Sequence, residues 1–245
     1  MDNMYLSGTG NNFLITENTK HLSDIEVIAY VADANKDIDG VITYEIKDKN
    51  LLHMNYYNSD GSTAELCING VRCLAKYAND NVANIDSNVT ILTQTQRIDC
   101  VVEKDIVILE VDYPTFPDDL KLHKIENLSG YIIDVGNPHF VIFDKGNLNF
   151  DIEKISTLIQ GNSLFPNGVN IEYCDVIDET SVKARVYERG VGETAACGSG
   201  AVAIFYSLFT KNIVSDNLTV TYPGGDLHLS FNNDKIKVSG YVTYL

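Results

Sequence analysis

Two stretches of this chain, ELCINGVRCLAKYA (Glu65–Ala78) and AACGSGAVAIFYSL (Ala195–Leu208), superpose as Cys-x-[Asn/Ser]-Gly running into an apolar helix. Cys67 and Cys197 lie 130 positions apart in a chain of 245 residues. A unit that recurs at half the chain length points to a fold built from two related halves. The polar, proline-containing stretch after Val111 is where a boundary belongs, between residues 112 and 130. That gives a first lobe over 1–120 and a second over 121–245, with the extreme C-terminus free to cross back.

Alternating apolar segments read as strands over Phe13–Thr16, Val41–Ile46, Leu51–Tyr57, Val89–Thr93, Ile106–Val111, His139–Phe143, Val169–Tyr173, Val182–Tyr187, Leu218–Tyr222 and Lys235–Val238. Three segments read as helices. One opens at a capping box, Ser23-x-x-Glu26, with Ile25, Ile28, Ala29 and Ala32 at helical spacing; the others follow Cys67 and Cys197. Short strands with a few helices place the chain in the α+β class.

Composition excludes several functions. The net charge of −16, with no Lys/Arg cluster, would repel a nucleic-acid backbone. No apolar run approaches membrane-spanning length, and MDNMYLSGTG lacks the basic start and apolar core of a signal peptide, so the expectation is a cytoplasmic protein that contacts no membrane. Five cysteines, an odd number without CxxC spacing, indicate neither a disulfide framework nor a metal site; they read as reduced thiols. No phosphate loop or pyridoxal-type lysine site stands out, so no cofactor is expected.

A helix begins with unpaired N–H groups and the positive end of its dipole. A thiol at that junction is expected to have its pKa lowered toward the thiolate. The amides of Ile68 and Asn69 in one half, and of Gly198 and Ser199 in the other, can cradle a carboxylate. Gly198 and Gly200 let backbone approach closely. Two such thiols, each at a site that stabilises an anion, suit inversion at the α-carbon of an amino acid: one removes a proton from one face while the other delivers a proton to the opposite face. Cys73, Cys100 and Cys174 lie within helical or strand-like patterns and read as small buried hydrophobes.

Seven ordered motifs then carry a family resemblance: GTGNNF (Gly8–Phe13), NSDGSTAELCINGVRCLAKY (Asn58–Tyr77), VDYPTF (Val111–Phe116), GNPHFVIF (Gly136–Phe143), NIEY (Asn170–Tyr173), ERGVGETAACGSGAVA (Glu188–Ala203) and YPGGDL (Tyr222–Leu227). In these the chain resembles the cofactor-independent diaminopimelate epimerases. The resemblance implies two pseudo-symmetric lobes, each an antiparallel sheet wrapped around a central helix, with the active site in the cleft between them. It implies that Cys67 and Cys197 are the acid/base thiols and that His139 and Glu188 assist them. Asn69, Gly198 and Ser199 match positions that hold the reacting carboxylate and amine, and Asn11, Asn58, Asn137, Asn170 and Arg189 match those that bind the rest of the substrate. Ile68 stands where the family usually has glycine, Asn12 where it has aspartate, and Ser7 where histidine is common.

The function expected is PLP-independent interconversion of LL- and meso-diaminopimelate on the lysine and peptidoglycan pathway. The partner is a small amino-acid substrate, and the resemblance points to a homodimer. The alternatives are a racemase of another amino acid, such as histidine, with the same two thiols, and a relative that only binds a small molecule.

Overall fold

The computed structural model describes residues 4–18, 38–58, 61–63, 66–143 and 148–245. The helix expected from the capping box at Ser23 lies outside them. The chain divides into two compact units, one formed by Met1–Glu110 with Ser239–Leu245 and the other by Val111–Val238.

The first unit contains β1 (Met4–Gly8), β2 (Asn11–Glu17), β3 (Gly40–Asp48), β4 (Leu51–Asn58), α1 (Ile68–Asn81), β5 (Asn88–Leu92), β6 (Arg97–Glu103) and β7 (Ile106–Asp112). The end of β16 (Lys235–Tyr244) joins it, because β16 neighbours β7 on one side and pairs with β1 on the other. The ring β1-β2-β3-β4-β5-β6-β7-β16 therefore closes as an eight-stranded barrel. Closure leaves the ring no free edge. Every residue of α1 from Ile68 to Ala78 is buried, and the helix touches β1 and β2 on one arc of the ring and β5 and β6 on another. Val71, Leu74, Ala75 and Ala78 are wholly excluded from water, and a buried Val or Leu contributes about 1.5–3 kcal/mol.

The second unit contains β8 (Leu122–Ile125), β9 (Leu128–Asp134), β10 (Pro138–Phe143), α2 (Ile152–Gln160), β11 (Asn170–Asp178), β12 (Ser181–Glu188), β13 (Gly192–Thr194), α3 (Gly198–Thr210), β14 (Asn217–Tyr222), β15 (Gly225–Asn232) and the start of β16. Its strands lie in the order β8-β9-β10-β11-β12-β14-β15-β16, with β13 added to β12. α3 packs on β9, β10, β11 and β15.

Pairing repeats between the units. β1–β2 is antiparallel, β2–β3 parallel, β3–β4 antiparallel, β4–β5 parallel and β5–β6 antiparallel. β9–β10, β10–β11, β11–β12, β12–β14 and β14–β15 follow the same alternation. The expectation of an antiparallel sheet in each lobe is corrected by these parallel pairs, and in the first unit the sheet closes as a barrel. A helical crossover explains the β4–β5 and β12–β14 pairs: α1 and α3 each carry the chain back to the starting end, so the next strand runs the same way.

All ten segments expected as strands are extended. The alternation did not mark β1, β6, β8, β9, β13 or β15. In β6 the buried Ile98, Cys100 and Val102 are separated by exposed Asp99 and exposed Val101, which blurs the alternation, and β15 opens on glycine. The short helix α2, capped by Asp151, was also unmarked. Among the described residues no helix is long and apolar enough to cross a membrane, and no group of His, Cys, Asp and Glu side chains is placed to hold a metal. All five cysteines are free thiols.

Candidate active site

Each singled-out cysteine is the N-cap of its helix. Cys67 has extended backbone (φ −130°, ψ 94°), and its Sγ accepts from the Gly70 N–H at 3.4 Å. Cys197 does the same (φ −127°, ψ 118°), with the Gly200 N–H 3.3 Å from Sγ and the Ser199 hydroxyl also at 3.3 Å. Sulfur is a weak acceptor compared with the Ser, Thr, Asp or Asn usual at this position. A cap of this kind, made twice, sacrifices helix stability for a thiol at a fixed place.

In the first unit the residues around Cys67 form a buried polar chain. Asn69, 3% exposed, donates from Nδ2 to Asn11 Oδ1 at 2.5 Å. Its Oδ1 accepts from Arg72 Nη2 at 2.7 Å, and Arg72 also donates to Thr9 Oγ1 at 2.7 Å and to the Tyr241 carbonyl at 3.1 Å. Arg72 is wholly buried, and among the described residues no carboxylate forms an ion pair with it. Burial pulls its guanidinium down to about 10, partly offset by the neighbouring cysteines. Ile68 is buried as the first helical residue. Asn58 ends β4 in a turn, where its Nδ2 donates to Ser62 Oγ at 2.9 Å.

The second unit gathers more of the singled-out residues. Asn170, at the start of β11, accepts from the Arg189 N–H at 2.9 Å and donates to the Pro138 carbonyl at 3.2 Å, tying together the beginnings of β10 and β11 and the end of β12. Glu188 Oε1 accepts from Thr194 Oγ1 at 2.5 Å. His139 is wholly buried; its Nδ1 lies 2.7 Å from Glu172 Oε1 and its Nε2 lies 2.9 Å from Asn137 Oδ1. Arg189 is exposed. Its Nη1 reaches the Asn167 carbonyl at 3.5 Å, and among the described residues it forms no ion pair, so the guanidinium is open to an anion from outside. Gly168, at φ +75°, makes room for it: a Cβ there would stand 2.9 Å from Arg189 Cγ.

Electrostatics at Cys197 reverse the expectation from the helix terminus alone. Burial, followed by the charges of Glu188 and Glu172, pushes this thiol well above its ordinary value; the Ser199 hydroxyl and the Gly200 N–H offset only part of the rise. Two carboxylates and desolvation outweigh one helix end, because both disfavour the thiolate in a poorly solvated place. Cys197 therefore carries its proton at neutral pH. Burial likewise raises Cys73, Cys100 and Cys174, in keeping with their reading as buried, inert thiols.

Three residues not singled out from the sequence belong to these surroundings. Glu172 and Arg72 are ionisable side chains at 0% exposure, and Tyr222 is a buried phenol whose pKa burial pushes well up. A trace of Glu172 was present in the sequence, as a carboxylate between the apolar Ile171 and Tyr173 of an expected strand. Arg72 is one of the few polar positions on a helix read from the sequence as apolar.

Two thiol-capped helix starts thus stand at equivalent places of a repeated strand-and-helix pattern. The family profile described as diaminopimelate epimerase matches residues 4–114 and 131–244. The chain is 34% identical to the diaminopimelate epimerase of Brachyspira hyodysenteriae, covering 98% of this chain and 95% of that protein. It is 33% identical to that of Thermotoga maritima, covering 98% of each. In fold it is similar to the crystal structure of a hydroxyproline epimerase from Agrobacterium vitis, with a TM-score of 0.77 at 12% identity, covering 99% of this chain and 88% of that one. The chain belongs to the diaminopimelate epimerase family.

Proposed function

We propose that this protein is an isomerase that interconverts LL- and meso-diaminopimelate without a cofactor, using Cys67 and Cys197 as its acid/base pair. The observation that supports this most is the match to the diaminopimelate epimerase family across nearly the whole chain, joined to two cysteine-capped helices in equivalent positions of a repeated fold. The chain works in this reading as two lobes, each contributing one thiol. Inversion requires one thiol on each face of the α-carbon. One accepts the α-proton while the other supplies its own, so the enzyme ends with the two protonation states exchanged. Cys197, held protonated by burial and by Glu188 and Glu172, enters as the proton donor.

The carboxylate next to the reacting carbon is held by the N–H groups at the starts of α1 and α3, from Ile68 and Asn69 and from Gly198 and Ser199, where helix dipoles favour negative charge. That charge grows as the α-proton leaves, so the same amides stabilise the transition state more than the ground state. His139 and Glu188 carry protons to and from the thiols. Asn11, Asn58, Asn137, Asn170 and Arg189 hold the distal end, where a guanidinium suits the second carboxylate of diaminopimelate.

The test is α-proton exchange in D₂O with a panel of amino acids. Diaminopimelate is expected to exchange fastest, and Cys67→Ala and Cys197→Ala are each expected to abolish turnover. Faster exchange with histidine would overturn the substrate assignment, and near-normal turnover by either cysteine variant would overturn the two-thiol mechanism.

A further inference from the structure

His139 sits between two oxygens. Glu172 Oε1 faces Nδ1 at 2.7 Å and Asn137 Oδ1 faces Nε2 at 2.9 Å. Glu172 and the imidazole are both at 0% exposure, so water does not supply alternative partners. A carboxylate only accepts hydrogen bonds, which requires a proton on Nδ1. An amide offers an acceptor oxygen at one end and a donor nitrogen at the other, so Asn137 can meet Nε2 whether or not that nitrogen bears a proton. Loss of the Nε2 proton would leave two acceptors facing each other. The Asn137 amide relieves that by turning its Nδ2 toward the ring.

Glu172 is held for this purpose by the fold. It projects from β11 beside β10, which carries His139, in a parallel pair where His139 is in register with Asn170 two residues before Glu172. It also lies under the first turn of α3, where a Cβ on Gly200 would come within 2.5 Å of Glu172 Oε1. The equivalent position in α1, Gly70, faces the methyl groups of Ile42 and Met54 instead, so this carboxylate belongs to the second unit alone.

We propose that Glu172 is the positioning residue for His139: its buried carboxylate keeps a proton on Nδ1, so that Nε2 is the nitrogen that exchanges protons, and the Asn137 amide turns with each exchange. This rests on the reading of His139 as a proton carrier in the epimerase. The atoms balance: the proton that leaves Nε2 passes to a thiolate or substrate group, and the Nδ1 proton stays on the ring, donated to Glu172. Asn137, matched to substrate binding, thereby presents a different end of its amide in the two states of the ring.

The test combines ¹⁵N NMR of histidine-labelled protein with kinetics on two near-isosteric variants. In the wild type at a pH where the ring is neutral, the His139 N–H is expected on Nδ1. In Glu172→Met the only remaining acceptor is Asn137 Oδ1, and the N–H is expected to move to Nε2. Glu172→Gln, whose amide can present either end, is expected to show both tautomers, and it serves where the methionine variant does not fold. In exchange assays both variants should lose at least about tenfold in kcat with KM within about twofold, and Glu172→Gln should add little to His139→Asn, because residues acting as a unit are not additive. An Nδ1 tautomer unchanged in the folded variants, or full kcat in both, would overturn the proposal. The NMR result needs no substrate, so an inverted tautomer in a protein that turns over no amino acid would uphold the Glu172 lock and count against the epimerase reading alone.

Discussion

Placing an alanine at the third helical position of each copy of the repeat should have opposite consequences, although Gly70 and Gly200 are equivalent in sequence. Alanine is favoured over glycine in a helix by about 1 kcal/mol, and both variants receive this gain. At Gly70 the added methyl meets Ile42 Cδ1 at 3.0 Å, Met54 Cε at 3.1 Å and Cys67 Sγ at 3.3 Å. The nearer two are ends of flexible side chains that can shift by a few tenths of an ångström, so Gly70→Ala should be close to neutral. At Gly200 the methyl meets Glu172 Oε1 at 2.5 Å and both Cδ and Cγ at 3.1 Å. Glu172 cannot retreat without losing its bond to His139, and overpacking of this kind costs about 1–3 kcal/mol, beyond which the freed carboxylate is left buried without its partner. Net destabilisation of Gly200→Ala should then exceed that of Gly70→Ala by about 1–3 kcal/mol, or a difference in Tm of roughly 2–4 °C per kcal/mol for a chain of this size. Thermal unfolding followed by circular dichroism, with urea midpoints as a second measure, reads the difference directly. Equal shifts for the two variants, or a Gly200→Ala protein as stable as wild type, would refute the argument that Glu172 is wedged under α3.

Arg189→Ala should lower kcat/KM for diaminopimelate by about tenfold or more, since a charge-assisted hydrogen bond contributes about 1.5–3 kcal/mol; its thermal stability should be unchanged, because the side chain is exposed and forms no ion pair among the described residues. Steady-state kinetics beside a melting curve separates the two effects. Tyr222→Phe should raise stability by about 1 kcal/mol in urea titration, since among the described residues the buried hydroxyl has no hydrogen-bond partner and its removal lifts a desolvation cost; a marked loss would mean that the hydroxyl is bound. Stability should also fall in alkali. Burial raises the folded-state pKa of Cys73, Cys100, Cys174 and Cys197. Above about pH 8.5, the ordinary thiol value, the unfolded chain loses these protons while the folded chain keeps them. The contribution is therefore full below that pH and is lost as pH rises toward the folded-state values. Urea midpoints at pH 7.5 and 9.5 should show the drop, and a flat profile would contradict the burial of these thiols.

The sequence alone carried the duplication, the ten apolar strands and the place of each candidate thiol, because these depend on local periodicity and on residue types that mark a helix start. It also showed which side chains to look for, since Cys67, Cys197, His139 and Glu188 stand in short ordered motifs. Pairing direction, barrel closure and the polarity of each thiol's surroundings were decided by tertiary structure. Parallel neighbours such as β2 and β3, or β10 and β11, meet only after a crossover, so no run of adjacent residues records them. The Cys197 thiol was misread for a related reason. A helix N-terminus is local and legible, whereas the burial and the carboxylate of Glu172, 25 positions earlier in the chain, come from packing and outweigh it. Arg72 and Val202 show the same limit from the other side: they occupy equivalent places in the repeat, yet one buries a guanidinium among hydrogen-bond acceptors and the other a plain hydrocarbon. Duplication fixes where a side chain points, and the dielectric and charge it meets there depend on residues brought in from distant strands.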